Sequence, residues 1–297
     1  MASKPQALVL LLWPLLLLSH LSSSLSCPIV TYWGKNVNEG ELDAACQTKK
    51  YEIINIAFMN TFGNGQTPDI NLAGHCHWSW GVPCTKYASQ IATCQSLGVK
   101  IFLSLGGASG SYSLASAEEA KQFASHLWTY YLSGQSPGLL GQVALDGIDF
   151  DIEGDYYLNT AITTGLFDYI WVQFYSNPPC QYTDDGDSQK LINSWNQWTT
   201  TFTATKFYVG LPASPAGNGS AGGYVPIDTL NNGILPQAKT SSKFGGIMLW
   251  SYNYDEMSGY SDQIICHASQ AFNVVRAPLV AMMKSASEVL YRLLSHY

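Results

Sequence analysis

Charge is what this chain has least of. Asp, Glu, Lys and Arg make up only 12% of its 297 residues, and acids outnumber bases to leave a formal net charge of −7. So small a basic complement excludes nucleic acid and anionic membrane surfaces as partners, because both select a positively charged face. Metal-ligand spacings are missing as well. No Cys-x-x-Cys or His-x-x-x-His occurs, so no metal site is expected. Nor does any apolar run span a bilayer comfortably: Leu8 to Leu18 is short and broken by Pro14. Lys4 before that run and the small-x-small triplet Ser24-Leu25-Ser26 after it make residues 1–26 a cleaved secretory leader rather than an anchor. The mature chain is therefore expected outside the cell, with the vacuole as the other destination.

What is abundant points elsewhere. Hydrophobic residues reach 46%, which allows a large buried core and excludes disorder. The length suits one large α/β barrel or two ordinary domains. With 9 Trp and 18 Tyr in an acidic chain, the composition suits a neutral, ring-shaped ligand such as a sugar. Seven cysteines in an oxidising compartment imply disulfides. Cys76 and Cys84 bracket a short Trp-rich loop, and Cys46 and Cys94 each lie near an expected helix. Cys27, Cys180 and Cys266 are scattered, and the odd total leaves at least one thiol without a partner in the chain.

Short β-rich runs recur at Ile29–Gly34, Ile53–Asn60, Lys100–Gly107, Leu145–Glu153, Tyr169–Tyr175, Phe207–Pro212 and Gly246–Tyr252. Most are nearly continuous in apolar residues, as strands covered on both faces are. Helical stretches such as Tyr87–Leu97 and Ala117–Leu132 lie between them, so the strands are expected to run parallel. Polar groups collect at the strands' C-terminal ends, where a (β/α) barrel places its site. The fold class is thus α/β, a TIM-type (β/α) barrel, but with seven recognisable strands where eight are needed. Between Glu153 and Asp168 only residues 154–167 remain, enough for a single crossover. The expected organisation is a leader at 1–26, a barrel at 27–265 and a divergent helical tail at 266–297. In that tail Leu279, Met282, Met283, Ala286, Val289, Leu290, Leu293 and Leu294 follow helical spacing. Asn218-Gly219-Ser220 is a surface turn and an N-glycan acceptor pattern.

The informative segment is Leu145-Asp146-Gly147-Ile148-Asp149-Phe150-Asp151-Ile152-Glu153. On a strand, Asp149, Asp151 and Glu153 share one face, roughly 7 Å from one to the next. Three carboxyls so close repel, and some must hold a proton or a strong hydrogen bond at neutral pH. Stability gains nothing from this, whereas a general acid needs a carboxyl that keeps its proton. A divalent-cation site, a buried structural network and a solvated edge strand are the competing readings. Phe150 between two isoleucines argues against the last.

Here the chain resembles family 18 of the glycoside hydrolases, specifically the plant class III chitinases of the hevamine type. The Asp-x-x-Asp-x-Asp-x-Glu signature is whole as Asp146, Asp149, Asp151 and Glu153, and Ser-x-Gly-Gly appears as Ser104-Leu105-Gly106-Gly107. Tyr32-Trp33-Gly34, Asn55-Ile56-Ala57-Phe58, Trp171-Val172-Gln173-Phe174-Tyr175 and Met248-Leu249-Trp250-Ser251 match in order. The resemblance implies substrate-assisted, retaining hydrolysis of β-1,4-linked N-acetylglucosamine polymers, serving defence and chitin catabolism. Glu153 would be the general acid and base. Asp151 would orient the substrate's acetamide, Asp149 would hydrogen-bond Asp151, and Tyr175 would steady the acetamide oxygen. Tyr32, Phe58, Gly107, Ala108, Gln173 and Trp250 would line the sugar site, with Trp250 as its floor. Cys46 would pair with Cys94 and Cys76 with Cys84. No cofactor is implied. The implied partner is chitin or a chito-oligosaccharide, with peptidoglycan as a further substrate, and the chain is expected to be a monomer.

Two departures stand out. The segment that carries the family's fifth strand after Glu153 is missing, together with the cysteine that would join Cys180. Ala108 replaces a third glycine, which narrows the cleft. Loss of a strand supports the alternative reading, a non-catalytic carbohydrate-binding or xylanase-inhibiting relative.

Overall fold

The computed structural model describes residues 27–77, 80–153, 161–183 and 185–266, the side chains at 218–220 excepted. The expected leader at 1–26, the tail helix beyond Cys266 and residues 154–160 lie outside this set. Seven strands form the body of the sheet: β1 (Ile29–Trp33), β2 (Ile53–Gly63), β4 (Lys100–Gly106), β6 (Gly147–Asp151), β7 (Tyr169–Gln173), β8 (Lys206–Pro212) and β9 (Phe244–Trp250). They pair in parallel in the order β6-β4-β2-β1-β9-β8-β7. The sheet curls so that side chains of β6 and β7 meet, yet the two strands share no ladder. Among the described residues it is an incomplete (β/α) barrel, open between β6 and β7.

Period-two alternation sorts the core. Val30 and Tyr32 of β1, Ile53 and Ala57 of β2, Phe102 of β4, Tyr208 of β8 and Met248 of β9 form an inner cluster, with Tyr169, Trp171 and Trp250 packed on it. Their neighbours Ile54, Ile56, Leu103, Leu105, Val209, Leu211, Ile247 and Leu249 face outward, wholly buried within the larger outer cluster that carries the helices. Burying such apolar surface on both faces is the main stabilising contribution, about 25 cal/mol per Å². Helix Ala117–Leu127 shows why the local sequence turns helical where it does. The Ser116 side chain accepts the Glu119 backbone N–H, while Glu119 accepts that of Ala115. The helix then widens into a π-turn at Trp128–Leu132.

The open side alters the burial pattern. Ile148 and Phe150 of β6 and Ile170 of β7 are only half-buried, unlike the wholly covered outward residues of the central strands. Two strands were not expected from the sequence. β2 runs on past Asn60 to Gly63 and folds back as an antiparallel partner, β3 (Gln66–Ile70), and a short β5 (Ser111–Tyr112) pairs with the extension. Conversely, β6 is shorter than the expected Leu145–Glu153. It ends at Asp151, leaving Glu153 two residues beyond the ladder.

Cys46 is bonded to Cys94 and Cys76 to Cys84. A third disulfide joins Cys27, ahead of β1, to the buried Cys266, so two of the three scattered cysteines are partners and the body runs through Cys266. Cys180 is the free thiol among the described residues. No helix among those residues is long and apolar enough to cross a membrane.

Candidate active site

The C-terminal ends of the strands converge on the carboxylates of β6. Register sets Ser104 of β4 beside Asp149 and Gly106 beside Asp151. At the end of β4 the chain turns through two left-handed glycines, Gly106 at φ +106° and Gly107 at φ +87°. A Cβ on Gly106 would lie 2.3 Å from the Asp151 carbonyl oxygen, and one on Gly107 would lie 2.8 Å from the Phe58 ring. Only glycine lets the Gly107 N–H reach the Asp151 carbonyl, at 2.7 Å.

Asp149 is buried and accepts three side-chain hydrogen bonds. Tyr32 Oη (3.1 Å) and Ser104 Oγ donate to Oδ2, and Trp171 Nε1 donates to Oδ1 at 2.7 Å. Burial raises its pKa, and these donors oppose the rise. Asp151, also buried, accepts one side-chain bond, from Gln173 Nε2 at 3.0 Å. Burial, then the charge of Asp149, then that of Glu153 push its carboxyl up to about 8. The expected Asp149–Asp151 hydrogen bond is therefore not formed here. Asp149 has turned to donors on β1, β4 and β7, and it reaches Asp151 through its charge. The contrast between the carboxyls is clear. Three donors favour the anion on Asp149, whereas Asp151 keeps its proton at neutral pH.

Glu153 sits at the exposed rim. Its carboxyl, raised by partial burial, lies within electrostatic reach of both Asp151 and Tyr175. Tyr112 holds the backbone there: its hydroxyl donates to the Gly107 carbonyl at 2.9 Å and accepts the Glu153 N–H at 3.4 Å. Tyr175 is buried, and the charges of Asp151, Glu153 and Asp149 all keep its phenol protonated.

Beneath these groups lies an aromatic floor. Phe58 is stacked on Trp250 with centroids 6.1 Å apart, and Tyr32 lies 5.4 Å from Trp250. Lys35 extends its ammonium over Phe58, 5.6 Å from the ring centroid. Ala108 is exposed on the turn after Gly107. Asn218 falls within the 3₁₀ stretch Pro215–Ala221, and its side chain is outside those described. Among the described residues no group of three or more His, Cys, Asp or Glu could hold a metal ion. Sequence reasoning did not single out Tyr112, Lys35 or the contact made by Trp171. Trp171 carried a usable signal, since it alternates with Gln173 and Tyr175 and so shares their inward face.

A protonated carboxyl between two others, over an aromatic platform at the top of a parallel barrel, is acid–base machinery for a ring-shaped substrate, the arrangement of a glycoside hydrolase. The chain belongs to the glycosyl hydrolases family 18. That family's model matches residues 28–163. An acidic endochitinase of Vitis vinifera is 45% identical over 302 aligned residues, covering 89% of this chain and 99% of that protein. Among solved structures, the ICChI chitinase from Ipomoea carnea is similar at 40% identity and a TM-score of 0.75, covering 80% of this chain and 98% of the other. A xylanase and α-amylase inhibitor protein from Scadoxus multiflorus is similar at 35% identity and a TM-score of 0.74, with 80% and 98% covered.

Proposed function

We propose that this protein hydrolyses β-1,4-linked N-acetylglucosamine polymers by a substrate-assisted, retaining route. The observation that carries the reading is Asp151, a carboxyl held up to about 8 between Asp149 and the rim residue Glu153. Glu153 gives its proton to the glycosidic oxygen as the C–O bond breaks. The substrate's acetamide carbonyl oxygen attacks the anomeric carbon from the opposite face and forms an oxazolinium intermediate. Asp151 accepts the acetamide N–H on its free oxygen, the charge of Asp149 behind it offsets the positive charge that develops, and Tyr175 donates its hydroxyl to the acetamide oxygen. Glu153, now a carboxylate, takes a proton from water as that water opens the intermediate, which restores the starting state. Trp250, Phe58 and Tyr32 carry the apolar face of the sugar, and Gly107, Ala108 and Gln173 line its edge.

The leader-like start and three disulfides support a secreted protein, acting as a monomer on chitin with peptidoglycan as a second substrate. The similarity to endochitinases supports the same substrate class. The test is turnover and binding of a chitin oligomer by the secreted protein and by Glu153→Gln. Turnover is expected to be lost and binding kept in the variant. Equal turnover in both would show that Glu153 is not the acid. One observation favours a second reading, oligosaccharide binding without turnover: among the described residues the sheet is open beside β6. Binding by a wild-type chain that turns nothing over would establish it.

A further inference from the structure

Asp149 Oδ2 is served by two hydroxyls, but Oδ1 has a single side-chain donor, the Trp171 indole. That indole comes from β7, the opposite end of the sheet from β6. We propose that Trp171 is a positioning residue for the reaction: its N–H, reaching across the open side of the barrel, keeps Asp149 ionised and fixed, so that the one proton held by the pair stays on Asp151. The inference rests on the roles given above to Asp149 and Asp151.

Packing alone does not account for the contact. Trp171 does fill the barrel interior, with its ring 5.1 Å from Tyr208 and 5.8 Å from Tyr169. A core indole usually finds an acceptor for its N–H, but in this fold it need not: buried Trp195 Nε1 has no hydrogen-bond partner among the described residues. At Trp171 the N–H points at the most heavily coordinated carboxylate in the site. A hydrogen bond to an ion in a dry interior is among the strongest a protein makes, and it favours the charged form alone. Without it, Oδ1 keeps no described side-chain donor, and Asp149 competes with Asp151 for the proton. The second crossing bond, Gln173 to Asp151, leaves from the same strand two residues on. The open side of the barrel is thus laced by two side chains, each ending on one member of the acid pair.

The ionisable groups facing Asp149 are Tyr32 from β1, Asp151 of β6 and Tyr175 just after β7, with Glu153 acting on Asp151 and Tyr175 from the rim. The two tyrosines stay neutral at any working pH because both phenols are held well above their usual range. Changes between pH 4.5 and 9 therefore report on the carboxyls.

The experiment compares the secreted wild-type protein with Trp171→Phe, which has no N–H, and Trp171→Gln, whose amide retains a donor and does not titrate. Chito-oligomer turnover and Tm are both measured from pH 4.5 to 9. For Trp171→Phe, kcat is expected to fall about tenfold near pH 5 with KM within about twofold, and the acid limb of kcat to move up by about one pH unit. Trp171→Gln is expected to restore part of that limb. The Tm deficit of Trp171→Phe is expected to grow as pH rises, because ionising Asp149 becomes costlier. In an Asp149→Asn background the deficit should be flat. A kcat limb that stays in place and a Tm deficit independent of pH would overturn the inference, leaving Trp171 as packing. If the wild type turns over no sugar, the proposed function fails, while the Tm comparison still decides for or against Trp171.

Discussion

The hydroxyl of Tyr112 sits between the Gly107 carbonyl and the Glu153 backbone N–H, linking the turn after β4 to the acid that ends the β6 segment. Glu153 lies beyond the last ladder residue, Asp151, so this tie stands in for strand pairing. Tyr112→Phe keeps the ring stacked on Phe62, 5.3 Å away, and removes the tie. The expected loss is about 1 kcal/mol of stability and a fall in kcat of several-fold, with KM nearly unchanged. Urea denaturation and initial-rate kinetics on one oligomer check both.

Asp151 makes a prediction with a definite sign. Its carboxyl is protonated in the fold up to about 8, whereas in the unfolded chain it ionises at about 4. Between those values the folded state binds the extra proton, so this group's contribution to stability declines as pH rises and levels off above the upper value. Asp151→Asn removes the titration without changing the shape. The variant is expected to match wild type in unfolding free energy near pH 4 and to exceed it by several kcal/mol near pH 8, with turnover lost. A stability gain that did not vary with pH would contradict the assignment of the proton to Asp151.

Gly107 fixes the floor. With φ at +87° and the Phe58 ring 2.8 Å from an added Cβ, Gly107→Ala strains the backbone and pushes Phe58 toward Trp250. About 1–3 kcal/mol of destabilisation is expected, with a higher KM because the sugar loses a flat surface. Gly98 also has positive φ, but nothing lies near its Cβ. Gly98→Ala should pay only the backbone cost and leave KM alone.

Cysteine chemistry offers an independent check. Cys27, Cys46, Cys76, Cys84, Cys94 and Cys266 are bonded in three pairs, and Cys180 is free. Burial raises the Cys180 thiol, so alkylation of the native protein at pH 7 should be slow and confined to that residue. Mass spectrometry after alkylation without reductant should find one modified cysteine among the described residues, faster to react once the protein is unfolded.

Much of this was legible from residues alone because burial writes itself into composition. Runs such as Lys100–Gly107 and Phe207–Pro212 are nearly continuous in apolar residues, the composition of strands covered on both faces. Asp149 and Asp151 declared their shared face by alternating with Ile148 and Phe150. The short gap after Glu153 gave the missing strand. Contacts that depend on how distant segments meet were not legible. Nothing near Tyr112 in sequence tells of Glu153, and the three donors to Asp149 come from β1, β4 and β7. Asp149 turned to them because a buried anion takes the strongest donors within reach, not the neighbouring acid. The β2–β3 hairpin did carry a local sign: Asn64-Gly65 at its tip adopts positive φ at both positions, the backbone such a turn demands.

A closed barrel has no first or last strand, but this sheet has both, and its chemistry is mounted on them. β6 brings the acids, β7 brings Trp171 and Gln173, and β1 lies midway along the ladder. Amide exchange should therefore proceed from the two ends toward β1, with terminal strands released first. On warming, the seam between the ends should part while the middle of the sheet still holds. Heat would then silence the enzyme some degrees before it melts, and gentle cooling would bring the activity back.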